Sequence, residues 1–174
     1  RNWYHIALSS DGKIQTAVAN FGQIYTSSDY GATWTARDSS RYWTAIALSS
    51  DGKIQTAAVQ PGQIYTSSDY GATWTARDSS RSWQDVTLSS DGKIQTAAVF
   101  SGQIYTSTDY GATWTARDSS RGWFGIAMSS DGKIQTAVEN SGQIYTSYAD
   151  TVLPAGAFVV NDPSATVKIM ESAG

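Results

Sequence analysis

The sequence predicts an all-β fold made of four consecutive units of four short antiparallel strands, and three observations lead to this prediction. First, the chain repeats every forty residues, with Ser-Ser-Asp-Gly-Lys-Ile-Gln-Thr-Ala at 9–17, 49–57, 89–97 and 129–137. Second, a composition rich in Trp, Tyr, Ser, Thr and Gly and poor in Pro favours strands and turns over helices. Third, short apolar runs alternate with turn-forming residues inside each repeat.

The second repeat illustrates how the strands follow from the residues. Residues 43–50 predict a first strand that is apolar on both sides, as expected of a strand between neighbouring sheets. Asp51-Gly52 predicts a two-residue hairpin turn, because both residues tolerate the positive φ that such a turn needs. The second, third and fourth strands are expected at 53–59, 63–67 and 72–77.

A tryptophan opens the first strand of every unit, at positions 3, 43, 83 and 123. A residue repeated at the same place is expected to meet the same packing need in each unit, so we predict that these tryptophans are core residues. A stacking platform for a ligand is the alternative.

The domain organisation follows from the period. Four antiparallel strands in about forty residues are typical of one β-propeller blade. An open β-solenoid is the alternative, although its coils are usually shorter and lack two hairpin turns of this kind. The predicted blades are residues 1–40, 41–80, 81–120 and 121–147, followed by a divergent tail at 148–174.

The segment Ser27 to Trp34 returns at 67–74 and at 107–114, with the pattern Ser-x-Asp-x-Gly-x-Thr-Trp. In a tight turn the aspartate can hold its own backbone, the glycine can take a positive φ, and the tryptophan ring can fold over the hairpin. A catalytic or metal-binding role for the aspartates is the alternative, but an acid repeated in three units is better explained by a duty that these units share. The predicted structural residues are Asp29, Gly31, Trp34, Asp69, Gly71, Trp74, Asp109, Gly111 and Trp114.

This pattern resembles the Asp-box of the sialidase-type (BNR) β-propeller families, and the resemblance covers residues 1–147. It implies a β-propeller in which each box is a turn between the two outer strands of a blade. The family includes sialidases, secreted glycan-active proteins and non-enzymatic adhesive or scaffold modules. The chain departs from sialidases, because Arg37, Arg77 and Arg117 form one repeated set and the sequence contains no Arg-Ile-Pro motif. We therefore expect a protein that is not an enzyme.

The fourth repeat departs from the pattern after Ser147, where Ala149, Thr151 and Pro154 replace the Asp, Gly and Trp of the box. Residues 157–160 and 165–170 predict two strands joined by a turn. These strands either stand in for the lost outer strand or belong to a separate joining segment.

Four blades are few for a closed ring, and the inner strands carry small side chains at Ala7, Ala47 and Thr87. End blades left open would expose apolar faces and sheet edges. We therefore expect self-association, in which a second copy completes a larger ring, or an arc that belongs to a longer polypeptide.

The otherwise identical repeats differ in two patches per unit, at the start of the first strand and in the link between the second and third strands. Since strand direction alternates, both patches are expected at one end of the fold and the uniform turns at the other. Loops at the end of a rigid scaffold are where binding usually occurs. Variable positions also include Thr44 and Ala45. The predicted ligand-binding residues are Tyr4, His5, Asn20, Phe21, Tyr42, Gln60, Gln84, Asp85, Phe100, Phe124, Glu139 and Asn140.

Aromatic rings beside amides and carboxylates suit sugars, and they equally suit a protein partner. The predicted function is a non-catalytic binding module whose ligand is a glycan on a cell or virus surface, which would place the protein outside the cell or on a virion. Several weak, similar sites would act together. A structural building block of an extracellular or viral assembly is the alternative, a glycoside hydrolase is a third, and drift in unconstrained loops would also vary these positions.

Composition and charge argue against several other classes. The net charge of −3 and the absence of a basic stripe predict no nucleic-acid binding. With no cysteine and one histidine, His5, the chain has no thiolate metal site and no site with two imidazoles. We expect no cofactor, no metal and no membrane insertion.

Overall fold

A computed structural model describes residues 1–148 and the backbone of residues 159–160. In this part of the chain every regular element is a β-strand, as predicted, and no helix there is long and apolar enough to cross a membrane. The expected strand at 165–170 and the rest of the tail, apart from Tyr148 and residues 159–160, lie outside the described residues. The strands are β1 Trp3–Leu8, β2 Gln15–Ser27, β3 Thr35–Leu48, β4 Gln55–Val59, β5 Gly62–Ser67, β6 Thr75–Arg81, β7 Trp83–Leu88, β8 Gln95–Ser107, β9 Thr115–Met128, β10 Ile134–Glu139, β11 Ile144–Tyr148 and β12 Val159–Val160.

The described strands form two six-stranded sheets in which the neighbours are antiparallel. One sheet has the order β1-β2-β3-β4-β5-β6, and the other has the order β12-β11-β10-β9-β8-β7. Strands β1 and β12 lie at the edges of different sheets and do not pair with each other. The predicted all-β, antiparallel architecture is therefore confirmed, and the sheets are open.

Long strands join the first unit to the second and the third unit to the fourth. The first half of β3 pairs with β2, and from Trp43 onwards β3 pairs with β4. The second repeat is therefore a four-stranded antiparallel unit made of the Trp43–Leu48 part of β3 followed by β4, β5 and β6. The last strand of the first unit thus continues directly into the first strand of the second, and β9 makes the same connection from the third unit to the fourth, whereas β6 and β7 are separate strands.

The Asp-Gly segment differs from the predicted two-residue turn. Strand β3 ends at Leu48 and β4 begins at Gln55, so residues 49–54 form the connection. Of these residues Gly52 is the one with a positive φ, at 75°. Asp51 Oδ1 accepts hydrogen bonds from Ser49 Oγ (2.6 Å) and from Lys53 N (2.9 Å). The prediction was wrong because the Asp51 carboxylate, and not a second left-handed residue, holds this loop.

Each Asp box is a hydrogen-bonded turn built around its aspartate and glycine, as predicted. Asp29 accepts hydrogen bonds from Thr33 N (2.9 Å), Thr33 Oγ1 (2.5 Å) and Ser27 Oγ (2.7 Å). Gly31 has a φ of 85°, and Trp34 Nε1 donates to Gly31 O at 3.1 Å. The same bonds recur around Asp69, Gly71 and Trp74 and around Asp109, Gly111 and Trp114.

The core lies between successive units. Trp43 is completely buried in a cluster with Val18 and Ile24 of the preceding unit, and its ring meets the edge of Tyr65 at a centroid distance of 5.2 Å. The predicted core role is confirmed for Trp43 and for its counterparts in the third and fourth units, which are equally buried. Trp3 has no preceding unit in this chain and is 51% exposed.

Two series of hydrogen bonds also run from unit to unit. In the first series, the buried hydroxyl of Thr16 donates to Gln55 of the next unit at 2.8 Å. Thr56 donates to Gln95, and Thr96 to Gln135, in the same way. In the second series, which joins backbone groups, Ser10 N donates to Ser50 O at 2.8 Å. Ser50 N donates to Ser90 O, and Ser90 N to Ser130 O, in the same way. Together with the tryptophans, these bonds set one constant relation between neighbouring units.

A pair of glycine substitutions tests the packing between the first two units. Gly12 and Gly52 have nearly the same positive φ, but a Cβ on Gly52 would lie 2.6 Å from Ile14 Cβ, whereas a Cβ on Gly12 would meet nothing within 4 Å. We expect Gly12→Ala to lower the free energy of unfolding by about 1–2 kcal/mol, the cost of the left-handed backbone. Gly52→Ala should cost about 1–3 kcal/mol more, because the methyl group also overpacks the interface. Equal losses in urea denaturation of dilute protein would contradict this packing.

The Asp boxes predict a loss of stability in acid. Hydrogen bonds from the Thr33 hydroxyl and amide lower the pKa of Asp29 from 3.8 to about 2, and those from Thr113 do the same for Asp109. Burial alone would raise the pKa of Asp69. Hydrogen bonds from Thr73 and Ser67 lower this pKa by more, so it lies below its ordinary value of 3.8. A carboxyl with a lowered pKa stabilises the fold above its unfolded pKa, and this stabilisation is lost as the pH falls through the folded pKa.

We therefore expect the melting temperature to fall as the pH drops from about 4 to about 2, as measured by circular dichroism. The combined Thr33→Val and Thr113→Val variant lacks the two hydroxyl donors and should lose less stability over the same range. Parallel pH profiles for the two proteins would show that the boxes do not cause the acid sensitivity.

Candidate functional site

The two variable patches of each unit meet through the backbone. In the second unit, Gln60 N donates to Tyr42 O at 3.0 Å. The equivalent bonds join Asn20 to Asn2 (2.8 Å), Phe100 to Ser82 (2.9 Å) and Asn140 to Gly122 (2.7 Å). We call this region the variable end. It comprises residues 2, 4–5 and 20–21 in the first unit, 42, 44–45 and 60–61 in the second, 82, 84–85 and 100–101 in the third, and 122, 124–125 and 139–141 in the fourth.

The uniform turns meet one another at the opposite end of the strands. Tyr70 N, in the second Asp box, donates to Lys53 O of the Asp-Gly loop at 3.2 Å. The first and third units contain the same bond, from Tyr30 to Lys13 and from Tyr110 to Lys93. The sequence therefore separates into a uniform end and a variable end, and the strands run between them.

All twelve predicted ligand-binding residues are exposed or half-buried. Those exposed are Tyr4, His5, Phe21, Phe100, Phe124 and Asn140, and those half-buried are Asn20, Tyr42, Gln60, Gln84, Asp85 and Glu139. Two other variable positions, Thr44 and Ala45, are instead buried between units. The Thr44 hydroxyl donates to Trp83 O of the next unit at 2.9 Å, so the Thr44 side chain serves packing between units.

Phe21 and Tyr42 bring the variable patches of two successive units together. Their ring centroids are 5.0 Å apart with an interplanar angle of 40°, and Phe21 is 79% exposed. Tyr42 also lines a groove of about 540 Å³, whose other lining residues include Arg41, Pro61 and Gln63. This part of the variable end presents aromatic faces beside guanidinium and amide donors.

Arg41 is the residue that the sequence analysis missed. Its guanidinium lies 4.5 Å from the centroid of Tyr65 and pairs with Asp38 at 3.6 Å. The signal was present in the Asp-x-x-Arg spacing that ends each of the first three repeats, at 38–41, 78–81 and 118–121. An arginine held on an aromatic ring keeps its remaining donors oriented for a ligand.

His5 and Asp85 act between units. In each strand involved, a bulge lies just before the backbone N–H that donates, at residues 46, 86 and 126. Asp85 accepts from Val86 N and from Ile126 N of the following unit, both at 2.9 Å, and His5 Nδ1 accepts from Ile46 N at 3.3 Å. Burial raises the pKa of the Asp85 carboxyl, although these hydrogen bonds and His5 oppose the shift. Both side chains therefore hold neighbouring units together.

Glu139 is also partly engaged within its own unit. Its Oε2 accepts a hydrogen bond from Tyr145 OH at 3.2 Å, and burial raises the pKa of that phenol. Asn140 beside it is exposed. Among residues 1–148, no group of three or more His, Cys, Asp or Glu side chains could hold a metal ion. The variable end can thus stack on a ligand and hydrogen-bond to it.

Comparison with known families finds the BNR-Asp box repeat at residues 24–36 and 64–76. These segments contain the first two of the three boxes described above. No curated protein matches the chain.

Solved structures share the fold at low sequence identity. The GH74 enzyme of Niastella koreensis is 23% identical with a TM-score of 0.64, over 83% of this chain and 22% of that one. YCF48 bound to a D1 peptide is 16% identical with a TM-score of 0.60, over 91% and 68%. The β-propeller domain of Myceliophteria thermophila Cps50 (Swd1) is 14% identical with a TM-score of 0.69, over 90% and 53%. The chain therefore has the fold of a propeller module and spans about a fifth of the GH74 chain.

The role of Asp85 can be tested by stability. Asp85→Ala leaves two backbone N–H groups without their acceptor, so we expect the free energy of unfolding to fall by about 1–3 kcal/mol. Gln84→Ala removes a neighbouring half-buried side chain that accepts neither bond, and it should change stability by about 0.5 kcal/mol or less. If chemical denaturation gave the same loss for both variants, the bridging role of Asp85 would be refuted.

Proposed function

We propose that this chain, which carries BNR-Asp box repeats on a β-propeller fold, is a non-catalytic binding module that meets its ligand with the variable end. One observation carries the proposal: differing aromatic and polar side chains gather in solvent at one end of a scaffold whose other end is uniform. A rigid scaffold with side chains that differ at one end is the usual arrangement of a binding surface.

The centre of the proposed site is the pair Phe21 and Tyr42 with the adjoining groove. The exposed ring of Phe21 can stack on the apolar face of a sugar. Arg41 and Gln63 line the groove. Gln63 Nε2 donates one hydrogen to Asp78 O at 2.9 Å, so its second N–H and the Arg41 guanidinium can donate to hydroxyl oxygens. A glycan is therefore the ligand class that we favour, and it would place the protein at a cell or virion surface.

The repeated carboxylates support a role without catalysis. Asp29, Asp69 and Asp109 each hold their own turn, at the end opposite to the proposed site. Asp85 uses both oxygens for backbone N–H groups. The similar GH74 protein is an enzyme and the similar YCF48 binds a peptide, so glycoside hydrolysis and peptide binding are the two alternatives to glycan binding.

We further propose that the four repeats are four blades of a larger ring. The open sheets and the exposed apolar side chains of the first and fourth units support this arrangement. The same observation favours a second role, as a building block in which near-identical blades form an assembly.

A glycan array tests the binding proposal, with and without substitutions in the pair. We expect the chain to bind a subset of glycans, and Phe21→Ala or Tyr42→Ala to weaken binding at least tenfold, because stacking on the ring is lost. Tyr70→Ala is the matched control, since Tyr70 is an exposed tyrosine of the uniform end, and it should leave binding unchanged.

Loss of binding in all three variants would contradict a site at the variable end. Silence across the array would refute the glycan ligand, and turnover of a fluorogenic glycoside would refute the non-catalytic role.

A further inference from the structure

We propose that two copies of this chain associate head to tail, so that the first unit of each copy packs on the fourth unit of the other and the pair completes one ring. The inference rests on the proposal that the four units are an arc of a larger propeller. It does not depend on what the variable end binds.

The first unit leaves an apolar face uncovered, which we call the head face and define as Trp3, Ile6 and Leu8. These side chains are 51%, 52% and 51% exposed. A groove of about 510 Å³ lies on this face, lined by Trp3, Ile6, Tyr25 and Trp34 among others. In the second unit, the counterparts of Trp3 and Ile6 are buried and that of Leu8 is half-buried, because the first unit covers them.

The fourth unit leaves a second apolar face uncovered, which we call the tail face and define as Ile134, Val138 and Ile144. These side chains are 46%, 38% and 51% exposed. Their counterparts in the first unit, at positions 14, 18 and 24, are 9%, 0% and 0% exposed, because the second unit covers them. The chain therefore exposes both halves of an interface that it already forms internally.

The internal interface between the first and second units is the template for the proposed contact. There Val18 and Ile24 pack with Trp43 and Ile46 in one buried cluster. The tail face carries the same residue types as positions 14, 18 and 24, and the head face the same as positions 43, 46 and 48. The third and fourth units, by contrast, meet through Ala98 where the tail face has Val138. The fourth unit of one copy can thus cover the first unit of another with the side chains that fill the internal interface.

The polar series between units can continue across the same contact. In the template, the Thr16 hydroxyl donates to Gln55 Oε1 at 2.8 Å, while Gln55 Nε2 donates to Gly52 O. Gln15 on the first unit is held in the same way, because its Nε2 donates to Gly12 O at 3.0 Å. Thr136 on the fourth unit lies 3.2 Å from the Thr146 hydroxyl instead of a glutamine. In the pair, Thr136 would donate to Gln15 Oε1 of the other copy.

A contact between unlike faces either closes into a ring or extends into a filament. In two copies that close, each head face is covered by one tail face, and no apolar face of this kind remains in solvent. In the single chain the two faces do not cover each other, since Trp3 on the head face and Ile144 on the tail face are each 51% exposed. We therefore expect two copies to form a closed pair.

The oligomeric state tests the proposal, measured by size-exclusion chromatography with light scattering on the full chain. We expect about 37 kDa, twice the chain mass of 18.7 kDa. Trp3→Lys on the head face and Ile144→Glu on the tail face should each give a monomer with an unchanged circular dichroism spectrum, because both residues are exposed in the single chain. Tyr110→Lys, on the uniform end and 48% exposed, is the matched control and should leave the pair intact.

Mixing the two face variants separates this contact from other dimers. Trp3→Lys has an intact tail face and Ile144→Glu has an intact head face, so the mixture should form a pair with one native contact and one contact between opposite charges. Dimers of either variant alone, or no pairing in the mixture, would overturn the head-to-tail contact. A monomeric or filamentous wild type would overturn the closed pair, and glycan binding by such a protein would leave the proposed function intact.

Discussion

Each unit of this chain depends on what it buries against its neighbour. Trp43, Ile46 and Tyr65 of one unit enclose Val18 and Ile24 of the preceding unit. A single four-stranded sheet with two apolar faces cannot cover itself, so neighbouring units must supply the second half of each core. Truncating a buried tryptophan typically costs about 3–5 kcal/mol, which is a large part of the stability of an ordinary domain.

This constraint explains why one end of the fold is uniform. Gly52 lies against Ile14 of the preceding unit, and a Cβ on Gly71 would clash with Gln55 and with Thr26 of the preceding unit. A side-chain change there would disturb two units at once. At the other end the patches are joined by the backbone, as from Gln60 N to Tyr42 O, and a backbone bond tolerates many side chains. The residues are free to differ where the structure does not use their side chains.

Much of the fold could be predicted because the repeat displays its constraints several times. The forty-residue period, the Asp29 turn and the buried tryptophans followed from residues that recur at fixed places. The loop after Leu48 could not be predicted, since Asp-Gly is compatible both with a two-residue turn and with a longer loop held by the Asp51 carboxylate.

The candidate site was harder to predict than the fold. That both patches lie at one end followed from strand alternation, but variation alone does not distinguish a surface residue from one between units. Thr44 is buried and bonded to Trp83 O, and Asp85 completes a bulged strand. Bulges and contacts between units depend on backbone register, which the composition of a repeat does not encode. Arg41 was overlooked because it is invariant and we searched among the residues that differ.

Hydrogen–deuterium exchange of the first strands tests most directly the claim that contacts between units hold this structure together. Segments 3–8, 43–48 and 83–88 have the same pairing within their own units, but the first lacks a covering unit in a single chain. If these contacts hold the structure together, segment 3–8 exchanges faster than the other two in dilute protein, and all three are equally protected at a concentration where copies pair. Equal exchange in dilute protein would contradict this claim.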